Sequence, residues 1–152
     1  MIPKFRAWDV ELKSMKEVMD IDYRLECVEL SDPDGDTYIQ GFSNIKLMQP
    51  TGLTDKNGKE IFEGDILKFI DEWDEYCHEG YIDGSISGIN YVEIETDSTS
   101  FIFGKTRIPD SSLFYCIYDE RLTFQNLITD NELEFEVAGN IYENPELLEE
   151  RT

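Results

Sequence analysis

Basic residues are scarce in this sequence. Its 152 residues include 13 Lys or Arg against 34 Asp or Glu, which gives a formal net charge of −21. No Lys or Arg occurs from residue 69 to 104 or from 122 to 150, although these segments contain nine and eight acidic residues. So negative a surface repels phosphate groups, and we expect no direct binding to nucleic acid or to an anionic membrane. A basic protein or divalent cations are the partners that this charge would attract.

Cysteine and histidine are also rare. The three cysteines, Cys27, Cys77 and Cys116, lie far apart and form no CxxC pair, which indicates reduced thiols and no disulfide framework. The single histidine, His78, is next to Cys77, and we interpret it as a residue of an exposed loop. A nucleophilic Cys–His pair is normally assembled from distant segments, and a zinc site would have few ligands to draw on. The sequence therefore predicts no catalytic residue, no cofactor and no metal ligand.

Long apolar runs are missing as well. No stretch approaches the ~18 uninterrupted apolar residues that are needed to cross a bilayer. The first four residues, MIPK, lead directly into FRAW and do not resemble a signal peptide. We expect a soluble protein that works in the cytoplasm.

Short segments with alternating apolar and polar residues are what the sequence does contain. Apolar residues make up 40% of the chain and aromatic residues 12%, which is enough for a hydrophobic core. In YVEIE, Val92 and Ile94 are predicted to face that core while Glu93 and Glu95 face water. The inward positions of LEFEVAG are, by the same alternation, Leu133, Phe135 and Val137.

Turns and loops separate these segments. KFRAWDVELKSMKEV predicts an N-terminal hairpin with its second strand at residues 15–18. Pro33 and Gly35 indicate a loop over 31–41, and DEWDEYCHEG (71–80) is interpreted as an exposed loop. SFIFG and LFYCIY are predicted strands, with a helix as the alternative for part of 111–128. The predicted class is a β-rich α+β fold with short helices.

The densest motif is TGLTDKNGKEIFEGDILKF (51–69), in which Gly52, Gly58 and Gly64 recur every six residues. A Walker A loop needs four residues between its glycines and a Ser or Thr after its lysine. Here five residues separate Gly52 from Gly58, and Glu60 follows the lysine. The sequence therefore argues against a phosphate-binding loop.

Turn chemistry explains the same glycines better. Asn57-Gly58 predicts a hairpin with a type I′ turn, because both central residues of that turn need positive φ. A second turn at Glu63-Gly64-Asp65 leads into GDILKF, which is predicted to be a strand of a small SH3-like β-barrel.

Two further motifs are interpreted structurally. DPDGD (32–36) lacks the EF-hand spacing, since Gly35 is its fourth residue and Ser43 stands at the twelfth position, so we interpret it as a turn. In ENPELLEE, Asn144 is a predicted N-cap and Pro145 suits the first position of a short helix over 144–150.

Three blocks of the sequence, KFRAWD (4–9), TGLTDKNGKEIFEGDILKF (51–69) and VAGNIYENPELLEE (137–150), stand in the order seen in YopX-type phage and prophage proteins. The sequence resembles that family over nearly its whole length. The resemblance implies a single YopX-like domain over 1–152. Within it, turn chemistry and alternation predict an N-terminal hairpin and connecting region (1–50), a barrel-like β core (51–140) and a C-terminal helix (144–150). The residues expected to carry its structural motif are Gly52, Asn57, Gly58, Gly64, Asp65, Gly139, Asn140, Asn144 and Pro145.

The resemblance also implies a biological setting. The gene would belong to a bacteriophage or prophage of a low-GC Gram-positive type host, and the protein would form a homo-oligomer in the bacterial cytoplasm. It brings no enzymatic activity that could be assigned to named residues.

Three functions fit these observations. The first is a non-enzymatic accessory protein that self-associates and binds a host or phage protein, without nucleic acid or membrane partners. The second is an acidic mimic of nucleic acid that occupies a basic nucleic-acid-binding protein, which the two segments without basic residues suggest. The third, a metal-dependent hydrolase built from clustered Asp and Glu, has the weakest support because no ligand spacing emerges.

Overall fold

The structure, a computed structural model, describes residues 4–76, 79–80 and 82–150. In this part of the chain 50% of the residues lie in strands and 13% in helices. The predicted β-rich class with few short helices is therefore confirmed. Packing of the backbone divides the chain into two compact units, Met1–Gly52 (unit 1) and Leu53–Thr152 (unit 2).

Unit 1 is built on an antiparallel sheet of five strands, in the spatial order β4-β3-β2-β1-β5. The predicted N-terminal hairpin is confirmed as β1–β2, although its second strand is longer than expected. The strands are Arg6–Asp9 (β1), Ser14–Asp22 (β2), Cys27–Ser31 (β3), Thr37–Gly41 (β4) and Ile45–Met48 (β5), and a 3₁₀ turn covers Phe42–Asn44.

One face of this sheet carries the apolar core of unit 1. Side chains alternate across a strand, so Val28 and Leu30 of β3 are buried on the same face. They pack with Ala7, Val18 and Ile45.

A buried carboxylate organises the β1–β2 turn. Asp9 is fully buried, and its carboxylate accepts hydrogen bonds from the Tyr38 hydroxyl at 2.6 Å and from the backbone amides of Glu11 and Leu12. Burial disfavours the charged form, but these bonds and one from Gln40 more than offset it and lower the pKa of Asp9.

The loop predicted for residues 31–41 is shorter than expected. Only 32–36 forms the turn, which is closed by the Asp32 amide donating to the Asp36 carbonyl at 2.8 Å. The rest is β4, which pairs along β3 from Ser31↔Thr37 to Cys27↔Gly41. Pro33 and Gly35 therefore mark a tight turn between two strands.

Unit 2 contains a four-stranded antiparallel sheet in the order β10-β9-β8-β11. The short strand β6, which begins in unit 1 and ends in unit 2, pairs with β7. Two short helices follow β10. The elements are Pro50–Thr54 (β6), Glu60–Phe62 (β7), Asp65–Tyr76 (β8), Ile82–Thr96 (β9), Phe101–Thr106 (β10), Ser112–Ile117 (α1), Phe124–Ile128 (α2), Glu136–Asn140 (β11) and the 3₁₀ turn Pro145–Leu148.

The predicted SH3-like barrel is not found among the described residues. The four-stranded sheet ends at β10 and β11, and the five-stranded sheet ends at β4 and β5, so both sheets are open. GDILKF does begin a strand, β8, but its neighbours are β9 and β11 in an open sheet.

The exposed loop predicted for 71–80 is wrong over 71–76. These residues continue β8 and pair with β9 as far as Tyr76↔Ile82, which forms a long two-stranded arm. The many carboxylates suggested a loop, but a two-stranded arm exposes much of its surface and tolerates charge. Cys77 and His78 lie outside the described residues.

The core of unit 2 is rich in aromatic rings. Phe69 and Phe135 are each 1% exposed and stack with ring centroids 4.7 Å apart, and Phe103 stacks on Phe135 at 5.5 Å. Val92 and Ile94 are fully buried, so the alternation predicted for YVEIE is confirmed. The inward prediction for LEFEVAG is also confirmed, because its members Leu133, Phe135 and Val137 all pack in this core.

Candidate protein-binding surface

The glycine motif forms a hairpin between β6 and β7, but not with the predicted turn. The Asp55 amide donates to the Lys59 carbonyl at 2.8 Å, which leaves three residues in the loop. Of these, Gly58 has φ 82° and Asn57 is not in the positive-φ region. The type I′ prediction is therefore wrong: one left-handed glycine closes a three-residue loop.

A residue that the sequence did not single out, Asp55, holds this hairpin in place. It is 7% exposed; Oδ1 accepts from the amides of Asn57 and Lys59, and Oδ2 accepts from the Val137 amide at 2.9 Å on β11. Burial opposes its charge, yet these three bonds and the nearby Lys59 ammonium lower the pKa of Asp55. An Asp two residues before Asn-Gly is the sequence signal that could have identified it.

The other motif residues meet where β8 pairs with β11. Asn140 lies opposite Asp65, and Gly139 lies opposite Ile66. The Gly64 amide donates to the Ile94 carbonyl, and the Phe62 amide donates to the Asp65 carboxylate. These motif residues thus join neighbouring strands. Gly52, with φ 80°, has no atom within 4 Å of the position a Cβ would take.

The C-terminal motif forms a turn with a different hydrogen bond from the one predicted. Asn144 makes no side-chain N-cap bond to the 3₁₀ turn Pro145–Leu148; its Oδ1 accepts from the Asn140 amide at 3.3 Å. Asn144 stands at the predicted N-cap position but without a capping side-chain bond, and the predicted helix over 144–150 is a shorter 3₁₀ turn. Pro145 occupies its first position, as expected.

We expect Gly139→Ala to lower the free energy of unfolding by about 1–2 kcal/mol. A Cβ at this position would lie 2.3 Å from Asn144 Oδ1 and 2.9 Å from its Cβ, so the side chain that bonds Asn140 must move. Urea denaturation measures the effect. The matched control is Gly41→Ala, where the nearest side-chain atom is 4.0 Å away. Equal stabilities of the two variants would contradict this packing.

Helix α1 presents an unusual apolar surface. Leu113 and Cys116, one helical turn apart, point into the core of unit 2, so a helix of only six residues must leave its other apolar side chains outside. Tyr115 and Tyr118 are 73% and 72% exposed. We define the α1 surface as the exposed residues Phe114, Tyr115, Ile117, Tyr118 and Leu122.

The rings of the α1 surface contact one another. Phe114 meets Tyr118 edge-on with centroids 4.9 Å apart, and it meets Tyr115 in the same way at 5.6 Å. Edge-to-face pairs of this kind hold aromatic side chains in a defined arrangement. The sequence LFYCIY was predicted as a strand with a helix as alternative, and the helix is what the structure has over 112–117.

A cleft of about 290 Å³ adjoins the α1 surface. β10 contains a bulge between Phe103 and Thr106, where one extra residue enters the strand. The cleft lies between this bulge and the side chains of α1. Its lining consists of Gly104, Lys105, Thr106, Pro109, Asp110, Phe114, Ile117 and Glu150.

Unit 2, which contains α1, has a large negative formal charge. Unit 2 contains 24 of the 34 acidic residues and seven of the 13 basic ones, which gives it a formal charge of −17. Burial raises the pKa of the Cys116 thiol, and the carboxylates of Asp71, Asp119 and Asp130 raise it further. A raised pKa makes this thiol a poor nucleophile at neutral pH.

A buried polar group connects α1 to the two-stranded arm. Asp71 is 3% exposed; its Oδ1 accepts from the amides of Glu72 and Leu113, and its Oδ2 accepts from Asn90 Nδ2 at 2.9 Å. Asn90 in turn donates to the Ile108 carbonyl and accepts from the Ile108 amide. Asp71 thus fixes the first turn of α1 from the neighbouring sheet.

Within the described residues, no group of three or more His, Cys, Asp or Glu is arranged to hold a metal ion. The metal-dependent hydrolase hypothesis therefore has no ligand set in this part of the chain. In the same part, no helix has the length and apolar character that a membrane span requires.

Comparison with known proteins places this chain among relatives. The family model described as YopX protein matches residues 4–149. Among solved structures the chain is similar to the crystal structure of protein EF1440 from Enterococcus faecalis, with 31% sequence identity and a TM-score of 0.56. That similarity covers 98% of this chain and 99% of the other. No curated protein matches this chain.

Proposed function

The chain belongs to the YopX protein family, and from this premise we propose that it is a non-enzymatic accessory protein that binds a basic protein partner through the α1 surface. In the phage or prophage setting that the sequence resemblance implies, the partner is a host or phage protein in the bacterial cytoplasm. The exposed aromatic cluster on α1 is the observation that carries the proposal.

The composition of the α1 surface supports protein binding. Scattered exposed apolar residues are normal, but five in the nine positions from 114 to 122 form a cluster. Tyrosine is enriched among the residues that dominate binding energy at protein interfaces, because it adds contact area at low cost in conformational entropy. Two tyrosines more than 70% exposed, Tyr115 within α1 and Tyr118 at its C-cap, match that composition.

The charge of unit 2 selects the type of partner. A formal charge of −17 accelerates encounter with a basic surface and slows encounter with an acidic one. The apolar contacts on α1 would supply the part of the affinity that salt does not screen.

We expect a random peptide library screened against the full chain to yield peptides that combine Arg or Lys with an apolar anchor. Replacing both tyrosines, Tyr115→Ser with Tyr118→Ser, should weaken the selected peptides about tenfold or more, because most interface energy comes from a few aromatic residues. Tyr23→Ser is the matched control, since Tyr23 is 75% exposed but lies in unit 1. Unchanged affinity for the double variant, or peptides without basic residues, would refute the proposal.

We also propose that the chain self-associates, which strand β4 favours. It is the last strand on one side of the sheet of unit 1, and its sequence TYIQG has none of the charged residues or prolines that normally protect a sheet edge. Ile39 is 63% exposed on this strand. A second copy of the chain can pair with β4 edge to edge.

We expect Ile39→Lys to shift the chain from oligomer to monomer in size-exclusion chromatography with light scattering. Two β4 strands paired near their centres would bring the introduced charges close together, and like charges in cross-strand pairs are destabilising. Leu25→Lys, at an equally exposed turn position, should leave the oligomer intact. A wild-type chain that is monomeric at micromolar concentration removes this part of the proposal.

The two-stranded arm favours the second candidate function, mimicry of nucleic acid. Residues 69–96 of β8 and β9 contain no Lys or Arg, and Glu72 and Asp74 are exposed along one strand. If mimicry is correct, Glu72→Gln with Asp74→Asn weakens partner binding and high salt abolishes it. Changes at the two tyrosines would then have no effect.

A further inference from the structure

We propose that the cleft beside α1 is an anchoring pocket for one arginine side chain of the partner. The inference rests on the proposed function, because it concerns the same partner and the surface next to its contact site. It adds a defined residue type and a defined place of insertion.

The cleft is large enough for a single long side chain. Its volume of about 290 Å³ is at the lower end of the roughly 300–1,000 Å³ of pockets for drug-sized ligands. The β10 bulge and α1 both contribute lining residues, so an inserted side chain would contact two elements of unit 2 at once.

The chemistry of the lining matches arginine at both ends of its side chain. Phe114, Ile117 and Pro109 offer apolar contacts for the aliphatic stem. Asp110 and Glu150 are carboxylates that can accept its hydrogen bonds, and arginine can present two parallel donors to one carboxylate.

One cation already lines the cleft, Lys105. Among the lining residues that the structure describes, the two carboxylates of Asp110 and Glu150 outnumber this one ammonium, so the lining has a formal charge of −1.

The test is an NMR titration of the full chain with three small probes. Nα-acetyl-arginine amide should shift the backbone resonances of 104–110 and 114–117 in a saturable manner, with millimolar affinity. The citrulline analogue has nearly the same shape without the charge, and the norleucine analogue has only the apolar stem. Both should bind at least about tenfold more weakly than the arginine probe, because they lack charge-assisted hydrogen bonds.

Variants separate the pocket from general attraction to an acidic protein. Asp110→Asn with Glu150→Gln should abolish saturable binding of the arginine probe. Glu60→Gln with Glu132→Gln removes the same charge from exposed sites elsewhere and should not change it. Equal binding of the norleucine probe, or equal losses in the two double variants, would overturn the inference.

The failure of this inference can be distinguished from failure of the proposed function. If library peptides depend on Tyr115 and Tyr118 but the arginine probe does not bind the cleft, the α1 surface binds partners and the arginine pocket is refuted. If the library peptides do not depend on Tyr115 and Tyr118 and the arginine probe does not bind the cleft, the proposed function and the arginine pocket are both refuted.

Discussion

Asp55→Ala is expected to lower the free energy of unfolding by about 3–4 kcal/mol, one of the two largest effects of a single substitution that we predict. The carboxylate accepts three backbone hydrogen bonds at a position that is 7% exposed, and two of the donors lie in the hairpin while the third lies on β11. Its removal leaves amide groups without their partner in a poorly hydrated place, which costs more than the bonds alone contribute.

Urea denaturation at neutral pH measures this loss. Lys56→Ala is the matched control, since Lys56 lies in the same loop and makes a solvent-exposed ion pair with Glu136 at 3.6 Å; it should change stability by no more than about 0.5 kcal/mol. A similar small change for both variants would show that Asp55 does not hold the hairpin.

The pH dependence follows from the direction of the pKa shift. The pKa of Asp55 is lower in the folded chain than its ordinary value of 3.8, so the stability it contributes is fully present above that value. It is lost as the pH falls through the lower folded pKa. Asp55→Asn should therefore be less stable than wild type at neutral pH, and the difference between the two should shrink below about pH 4.

Asp71→Ala is the second large effect, with an expected loss of about 3 kcal/mol. The Asp71 carboxylate joins the Leu113 amide of α1 to Asn90 of β9, and neither group has ready access to water: Leu113 is 2% exposed and Asn90 is fully buried. Losing this carboxylate should also loosen α1 and therefore the α1 surface.

Two measurements separate this role from a general loss of stability. Hydrogen exchange at the Leu113 amide should accelerate in Asp71→Ala more than exchange at core amides of β9. Asp74→Ala, three residues further along the same strand and exposed, should change neither exchange nor stability appreciably. Uniform acceleration throughout unit 2 would contradict a specific link between Asp71 and α1.

The sequence predicted the features that depend on local periodicity and turn chemistry. Val92 and Ile94 alternate with charged residues, and alternation alone decides which side of a strand they occupy. Gly58 and Gly64 mark turns because their backbones adopt positive φ, which glycine favours.

Features that depend on long-range contacts were not predicted. The turn at Asn57 differs from type I′ because the side chain of Asp55 fixes a three-residue loop against β11, 82 positions away in sequence. The barrel prediction was wrong because closure of a barrel requires pairing between the two edge strands of a sheet, and no local sequence pattern specifies that pairing. The acidic residues at 71–76 suggested a loop, while their pairing with β9 makes them a strand.

The candidate site was partly visible in the sequence. The run LFYCIY contains more apolar residues than one face of a short helix can bury, and this excess was the available signal. Which residues are left exposed depends on Leu113 and Cys116 packing into the core, and the cleft depends on where the β10 bulge lies relative to α1. Both depend on tertiary contacts, which the spacing of residues in the sequence does not specify.

The central claim is that the partner contacts α1, and hydrogen exchange of the full chain with a saturating selected basic peptide tests it most directly. We predict slower exchange in residues 104–122, no change in β4 or in the arm at 71–76, and reduced protection in the Tyr115→Ser, Tyr118→Ser variant at the same peptide concentration. Protection confined to β4 or to the arm, or equal protection of wild type and variant at peptide concentrations near the wild-type Kd, would contradict the account.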